Sequence, residues 1–304
     1  MKCLALQGGG TRGIMQCAIL KALGAPDFDL IASTSVGAIV GGCYALCIKD
    51  VTKFFTDSAP KIFSGAWWIP LPRLWSSAKY SPDALRNALL GVVGNATLAD
   101  CKTMFIATGF EMTTGRTTYF QSYGKSSSDG DEIIIGPDSG TMMVDVMMAS
   151  SAAQSYFPGH KIGNWLFWDG GSSGFNAPDM LALTEAEQFV PTEQIEMLSL
   201  GNGNTPWPYA GSNMENPGIA TVAEVTFDIA YSGPENAMVW LARHRIGGRH
   251  QRINPNIPDY AIDDASPATL AAMQAAALNT LAAGGGSENP GAPVAGQATS
   301  APPA

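Results

Sequence analysis

Charge and histidine are scarce in this sequence, and both shortages restrict the functions it can have. Only 14% of the 304 residues are charged, and acidic residues outnumber basic ones, which gives a formal net charge of −9. Because nucleic acids and anionic membranes attract basic surfaces, this balance predicts no nucleic-acid partner and no docking on anionic lipid through bulk charge. The chain has three histidines and no metal-ligand spacing, so it predicts neither a metal site nor another cofactor.

Cysteine and long apolar runs are also limited. The five cysteines show no regular spacing, which favours reduced thiols inside a cell. No apolar run reaches the ~20 residues that cross a bilayer. Residues 1–6 are typical of a buried strand rather than of a signal peptide. The sequence therefore predicts a cytoplasmic protein that is peripheral where it meets a membrane.

Apolar residues make up 46% of the chain, which is enough for one large core. Residues 1–283 are predicted to form a single α/β domain. Residues 284–304 consist mostly of Gly, Pro, Ala and Ser, and they are predicted to be disordered because they carry too little apolar bulk. The aromatic stretch at 62–75 suits either an interfacial loop or lid over an acyl pocket, or ordinary packing on the sheet.

The run Ser33-Thr34-Ser35-Val36-Gly37 lies between a strand-like stretch and a helical stretch of small residues. A sharp strand-to-helix turn of this kind exposes a serine hydroxyl and aims the first amides of the helix at the reacting atom. Such turns usually have glycine two residues before the serine, whereas this chain has Ser33 there. The pattern predicts Ser35 as a nucleophile, with Thr34, Val36 and Gly37 completing the turn.

A second glycine-rich turn, GGGTRG at 8–13, follows the first predicted strand. The amides of Gly8, Gly9 and Gly10 lack side-chain cover, so they are predicted to bind the oxyanion that forms when a hydroxyl attacks an ester. Arg12 is expected either to order this loop or to meet a substrate phosphate. The same glycines match a dinucleotide-binding fingerprint, although the acidic residue expected after the second strand is missing. Close packing of strand and helix is a third interpretation.

Another strand-like run ends in Asp169-Gly170-Gly171. A carboxylate in a dry pocket can serve as the base for a hydroxyl nucleophile when no histidine is available. Asp-Gly is also a common turn pair, so a capping role for Asp169 stays open. A catalytic histidine placed after the acid would have to be His244 or His250. Both lie in basic runs that are predicted to be solvent-exposed.

Together these motifs resemble the patatin-like phospholipase family. Residues 8–13 are similar to its oxyanion motif, residues 34–37 to most of its nucleophile motif, and residues 169–171 to its Asp-Gly-Gly, in the family's chain order. The likeness extends over roughly residues 1–245. It implies a three-layer α/β/α fold with a mostly parallel central sheet.

The resemblance also implies a Ser–Asp dyad. Ser35 would attack the acyl carbon, Asp169 would take the proton and return it to the leaving alcohol, and the glycine loop would bind the oxyanion. The implied partner is a phospholipid or related lipid ester, met during transient contact with a membrane surface. Since patatin-like enzymes include toxins and immune effectors, a membrane-degrading role is also implied. Two alternatives stay open, namely a nucleotide-binding or regulatory module with the same fold, and an inactive scaffold because of Ser33.

Overall fold

A computed structural model describes residues 1–64, 78–209, 214–215 and 217–284. Most of the aromatic stretch at 62–75, for which an interfacial loop or lid and ordinary packing on the sheet are alternative predictions, therefore lies outside the described residues. So does the predicted disordered tail from residue 285 onward. Both stay predictions.

A single, mostly parallel sheet forms the centre of the molecule. In the described residues it has nine strands, numbered β1 to β9: Lys2–Leu6, Leu30–Ser33, Met104–Glu111, Arg116–Gln121, Glu132–Ile135, His160–Ile162, Trp165–Asp169, Glu196–Leu200 and His250–Ile253. The main path runs β5-β4-β3-β2-β1-β8-β9, and β7 branches from β3 and carries β6. Neighbours from β3 through β2, β1 and β8 to β9 are parallel. The β3–β4, β3–β7 and β6–β7 pairs are antiparallel.

Helices cover both faces of this sheet. We number them α1 to α8 in chain order: Gly13–Ala22, Val36–Ala45, Ala59–Ile62, Pro82–Val93, Met143–Ser150, Asp179–Ala186, Ile219–Ile246 and Pro267–Ala282. One core cluster joins the sheet to α1, α2, α4, α5 and α8, and a second core cluster joins it to α6 and α7. The predicted three-layer α/β/α architecture is confirmed.

The central strands explain why two helical layers are needed. In β1 and β2 the apolar residues do not alternate with polar ones, and all but the first residue of β1 are buried. A strand that is buried on both faces requires cover on both sides, which is typical of parallel sheets. The helix α2 begins three residues after β2 ends, so the connection between them is a tight turn.

The topology brings three distant loops to one edge of the sheet. Because β1, β2 and β8 are parallel neighbours, the loops that follow residues 6, 33 and 200 leave the sheet at the same edge. Strand β7 is antiparallel to β3, and its last residue, Asp169, lies opposite Gly109 near the end of β3. This edge holds the predicted site residues.

Candidate active site

Ser35 occupies the turn between β2 and α2 in an unusual backbone conformation. Its φ is 54° and its ψ is −125°. Residues other than glycine rarely adopt a positive φ, which costs on the order of 1–3 kcal/mol and is concentrated at functional sites. The Ser35 amide donates to Ser150 Oγ at 2.9 Å, and this bond holds the turn against the end of α5. At Gly37, a Cβ would lie 2.3 Å from the Leu6 carbonyl oxygen, so glycine is required where α2 passes β1.

The serine at position 33 does not prevent this turn. Ser33 is fully buried, and its hydroxyl donates to the Ile106 carbonyl of β3 at 3.1 Å. The neighbouring Thr34 hydroxyl donates to the Phe175 carbonyl at 2.6 Å and lies 2.9 Å from Thr108 Oγ1. Each buried hydroxyl therefore has a partner, and the elbow forms with a side chain where glycine is usual.

The turn places Ser35 against Asp169. Ser35 Oγ donates to Asp169 Oδ2 at 2.7 Å, and the other carboxylate oxygen accepts from the Gly171 amide at 2.7 Å. Ser35 is 9% exposed and Asp169 is 4% exposed. At Gly170, a Cβ would lie 2.2 Å from Thr108 Oγ1, so only glycine lets the loop after β7 approach β3 this closely.

The surroundings of Asp169 suit a proton acceptor. Burial raises the pKa of Asp169 to about 6, against the opposing effect of hydrogen bonds from Ser35 and Gly171. Both donors are uncharged, and no Lys, Arg or His of the described residues forms an ion pair with this carboxylate. A general base works best when its pKa lies near the working pH, because it is then ionised and still basic enough to accept a proton.

The glycine loop has fewer available donors than the sequence predicts. The Gly8 amide donates to the Asn176 carbonyl at 3.0 Å, so in this structure it is not available to an oxyanion. Gly8 still lines the cavity beside Ser35. The Gly9 and Gly10 amides make no hydrogen bond within the part of the chain that the structure describes. Of the three predicted oxyanion donors, these two remain.

Arg12 connects the glycine loop to the segment between β9 and α8. Its guanidinium donates to the Tyr260 carbonyl and lies 3.4 Å from the Asp259 carboxylate. The neighbouring Thr11 amide donates to the Ile262 carbonyl at 2.8 Å. Of the two roles predicted for Arg12, these contacts match the ordering of the loop.

The prediction that His250 is exposed is wrong. His250 is a buried residue of β9, and its Nε2 lies 2.7 Å from Asp179 Oδ1. Alternation along β9 places His250 and Arg252 on the same side of the strand, where their partners come from other elements. His244 is exposed, as predicted. Across the described residues, no histidine hydrogen-bonds Ser35.

A cavity of about 1370 Å³ opens onto Ser35 and Asp169. Its apolar wall comes from α2, the π-helical turn Phe54–Ser58, α3, α4 and the loop before β6; it includes Val36, Ile39, Phe54, Phe55, Ile62, Phe63, Leu85 and Phe157. Its polar wall comes from the loops after β8 and β9 and from α7; it includes Asn202, Asn204, Asp228, Glu235, Asn254 and Asn256. An apolar wall beside a polar wall suits a ligand with an acyl chain and a polar group.

Sequence reasoning missed the polar wall of this cavity. Its residues belong to a long helix and to two loops whose sequences match no catalytic motif, and they face Ser35 only after the sheet has formed.

Among the described residues, no group of three or more His, Cys, Asp or Glu side chains is placed to hold a metal ion. No described helix is both long and apolar enough to cross a membrane.

Comparison with known proteins finds patatin-like proteins and phospholipases. The family model for patatin-like phospholipase matches residues 4–182. A cGAMP-activated phospholipase from Pseudomonas aeruginosa (strain BWHPSA011 / Pa011) is 27% identical over 275 residues, which span 86% of this chain and 80% of the relative. Patatin-like protein 1 from Arabidopsis thaliana is 29% identical over 188 residues, spanning 53% of this chain and 44% of the relative. The crystal structure of VipD from Legionella pneumophila aligns at 13% identity with a TM-score of 0.46, over 93% of this chain and 67% of VipD.

Proposed function

The chain belongs to the patatin-like phospholipase family, and from this premise we propose that it hydrolyses acyl ester bonds of phospholipids or related lipids with Ser35 and Asp169 as its catalytic pair. The observation that best supports this proposal is the 2.7 Å hydrogen bond between Ser35 Oγ and the buried Asp169 carboxylate. The cavity around them has an apolar wall for an acyl chain. The uncharged neighbours of Asp169 leave it free to accept a proton.

In the proposed mechanism, Asp169 accepts the Ser35 proton while Ser35 Oγ bonds to the ester carbonyl carbon. The carbonyl oxygen becomes an oxyanion, which the Gly9 and Gly10 amides and the first amides of α2 stabilise. Asp169 then gives its proton to the leaving alcohol oxygen as the ester bond breaks. Water attacks the acyl-enzyme, Asp169 accepts a proton from that water, and the free fatty acid leaves as Ser35 regains its hydrogen.

The direct experiment is lipid mass spectrometry after incubation of the protein with mixed phospholipids. We expect free fatty acid and lysophospholipid from the unchanged protein, and neither from Ser35→Ala. A fluorophosphonate should label the unchanged protein and spare Ser35→Ala, because the probe bonds to an activated serine oxygen. Thermal denaturation of Ser35→Ala provides the control for folding. Equal lipid cleavage by both proteins would exclude Ser35 as the nucleophile.

We further propose that an activator increases the rate of lipid hydrolysis and that the protein acts on membranes as a regulated effector. The supporting observation is that the Pseudomonas aeruginosa relative, which aligns with 86% of this chain, is named a cGAMP-activated phospholipase. The test is the hydrolysis rate on phospholipid vesicles with and without cGAMP. A large increase supports activation by this nucleotide, and an unchanged rate rejects it.

A further inference from the structure

The polar wall of the cavity has an acidic side chain next to aromatic rings. On α7, Asp228, Tyr231 and Glu235 follow one another at spacings of three and four residues, which places them on one face of the helix. All three line the cavity. Tyr231 Oη lies 3.1 Å from Ser172 Oγ and donates to Gln154 Oε1 at 2.9 Å, so this helix face borders the loop that follows Asp169.

The carboxylate of Asp228 is held by an aromatic residue rather than by a cation. Tyr209 Oη donates to Asp228 Oδ2 at 2.7 Å. The Tyr209 ring meets the Trp207 ring edge-on, with 5.4 Å between centroids. Trp207 lines the same cavity and is 43% exposed. No Lys, Arg or His of the described chain forms an ion pair with Asp228. We call Trp207, Tyr209 and Asp228 the ammonium pocket.

Other acidic side chains of the cavity have partners already. Asp259 pairs with Arg12, and Asp263 pairs with Lys79. Glu235 accepts from Asn176 Nδ2 at 2.9 Å. Asp263 also accepts from a tyrosine, Tyr80 Oη at 2.6 Å, but Lys79 neutralises it. Asp228 lies beside aromatic rings, has the Tyr209 hydroxyl as its partner and forms no ion pair among the described residues.

The basic side chains of the cavity are poorly placed to bind an anion next to Asp228. Arg252 is buried and donates to Ser199 Oγ at 2.8 Å and to Gln7 Oε1 at 2.5 Å. Arg243 lines the cavity but follows Asp228 by fifteen residues, about 22 Å along the helix axis. Asn202, also on this wall, has a buried Oδ1 with no hydrogen-bond partner within the described residues.

We propose that the ammonium pocket binds the cationic nitrogen of a zwitterionic phospholipid headgroup. This inference rests on the proposed phospholipid hydrolysis and specifies its substrate class. An alkylammonium ion is attracted both by the carboxylate and by the faces of Trp and Tyr rings, at about 0.5–2 kcal/mol for the aromatic part alone. An anionic headgroup with no ammonium gains neither contact and is repelled by Asp228. Ethanolamine and choline headgroups share the required cation.

The experiment compares three diacyl phospholipids with the same short acyl chains and with ethanolamine, choline or glycerol headgroups. They are supplied as monomers, so that the net charge of the protein does not act on a charged lipid surface. We expect kcat/KM for at least one ammonium lipid to exceed that of the glycerol lipid by about tenfold. The ethanolamine and choline arms show which source of ammonium the pocket prefers.

Asp228→Asn should reduce this tenfold ratio to about one, because the amide keeps the shape of the carboxylate and removes its charge. Trp207→Leu should reduce the ratio by removing an aromatic face. The matched control is Asp129→Asn, which makes the same change of charge in an exposed loop remote from the cavity and should keep the ratio. Thermal denaturation of each variant reports its folding. A ratio that survives Asp228→Asn in a folded protein overturns the proposal.

Binding to non-hydrolysable ether analogues separates this inference from the proposed function. Calorimetry with Ser35→Ala and ether lipids of the three headgroups should give tighter binding for an ammonium headgroup. If no lipid is cleaved but this preference is present, the ammonium pocket stands and the hydrolase proposal fails. If lipids are cleaved, but the glycerol lipid is cleaved as fast or bound as tightly as the ammonium lipids, the hydrolase proposal stands and the ammonium pocket is refuted.

Discussion

Asp169 and Asp179 are ten residues apart and almost equally buried, at 4% and 1% exposed, yet their partners differ in kind. Asp169 accepts from the Ser35 hydroxyl and the Gly171 amide, and burial raises its pKa to about 6. Burial acts on Asp179 too, but hydrogen bonding from His250 and the charges of Arg252 and His250 outweigh it and lower its pKa.

The difference teaches how one fold gives two buried carboxylates different affinities for a proton. Cations stabilise the ionised form of a buried carboxylate, whereas neutral donors compensate only part of the lost hydration. Asp179 therefore stays ionised and joins α6 to β9 through His250. Asp169 retains affinity for a proton at the end of β7, which is the property that the proposed base requires.

The largest expected effect is the loss of activity in Asp169→Asn. The amide preserves the shape of the side chain but cannot accept the Ser35 proton, so we expect kcat to fall by about 10³-fold or more. A nitrophenyl ester assay measures this fall. A folded Asp169→Asn protein with kcat near that of the unchanged protein would contradict the assignment. Variants of His244 and His250 that retain activity would support a dyad without histidine.

Asp179→Ala tests the other side of the comparison. Removing this carboxylate leaves His250 and Arg252 buried without their acidic partner, so the free energy of unfolding should fall by about 3–5 kcal/mol. Urea denaturation measures the fall. The matched control is Asp129→Ala, the same truncation of an exposed carboxylate that forms no ion pair among the described residues. A loss below about 1 kcal/mol would show that the Asp179 cluster contributes little to stability.

The contributions of these two carboxylates to the free energy of unfolding should depend on pH in opposite directions. The folded-state pKa of Asp169, about 6, lies above its unfolded value of 3.8, so its contribution is full below pH 3.8 and is lost as pH rises through 6. This shift corresponds to about 3 kcal/mol. The folded-state pKa of Asp179 is lowered, so its contribution is present above its unfolded pKa and is lost on acidification.

The measurement is the free energy of unfolding of the unchanged protein minus that of Asp169→Asn, followed from pH 4 to pH 7. We expect this difference to decrease by about 2.4 kcal/mol as pH rises from 4 to 7. A difference that stays constant or increases over this range would contradict a raised pKa for Asp169.

The smallest expected effect is the fall of kcat/KM at acidic pH, which forms the acid limb of the pH profile. Because the proposed base must be ionised, kcat/KM should fall about tenfold per pH unit below pH 6. A headgroup-free ester and short assays at each pH separate this limb from changes in substrate or folding. An acid limb near pH 4 would mean that Asp169 is better solvated than its burial indicates.

Some features of the candidate site could be predicted from the sequence, and others could not. The strand, turn and helix around Ser35 were predictable because apolar spacing and small residues encode them locally. The glycine loop was placed correctly next to Ser35, but the capture of the Gly8 amide by Asn176 joins residues 168 positions apart and leaves no local signal. The burial of His250 was missed for the same reason, since its basic neighbours are typical of an exposed segment.

By itself, the sequence determined the family, the order of the candidate motifs and the alternation of strands and helices, because these depend on residue types at short spacing. Tertiary structure alone decided which amides are free, which carboxylate is paired with cations, and which face of α7 borders the cavity. Burial and partner charge set the chemistry of a polar group, and both arise only when distant segments pack together.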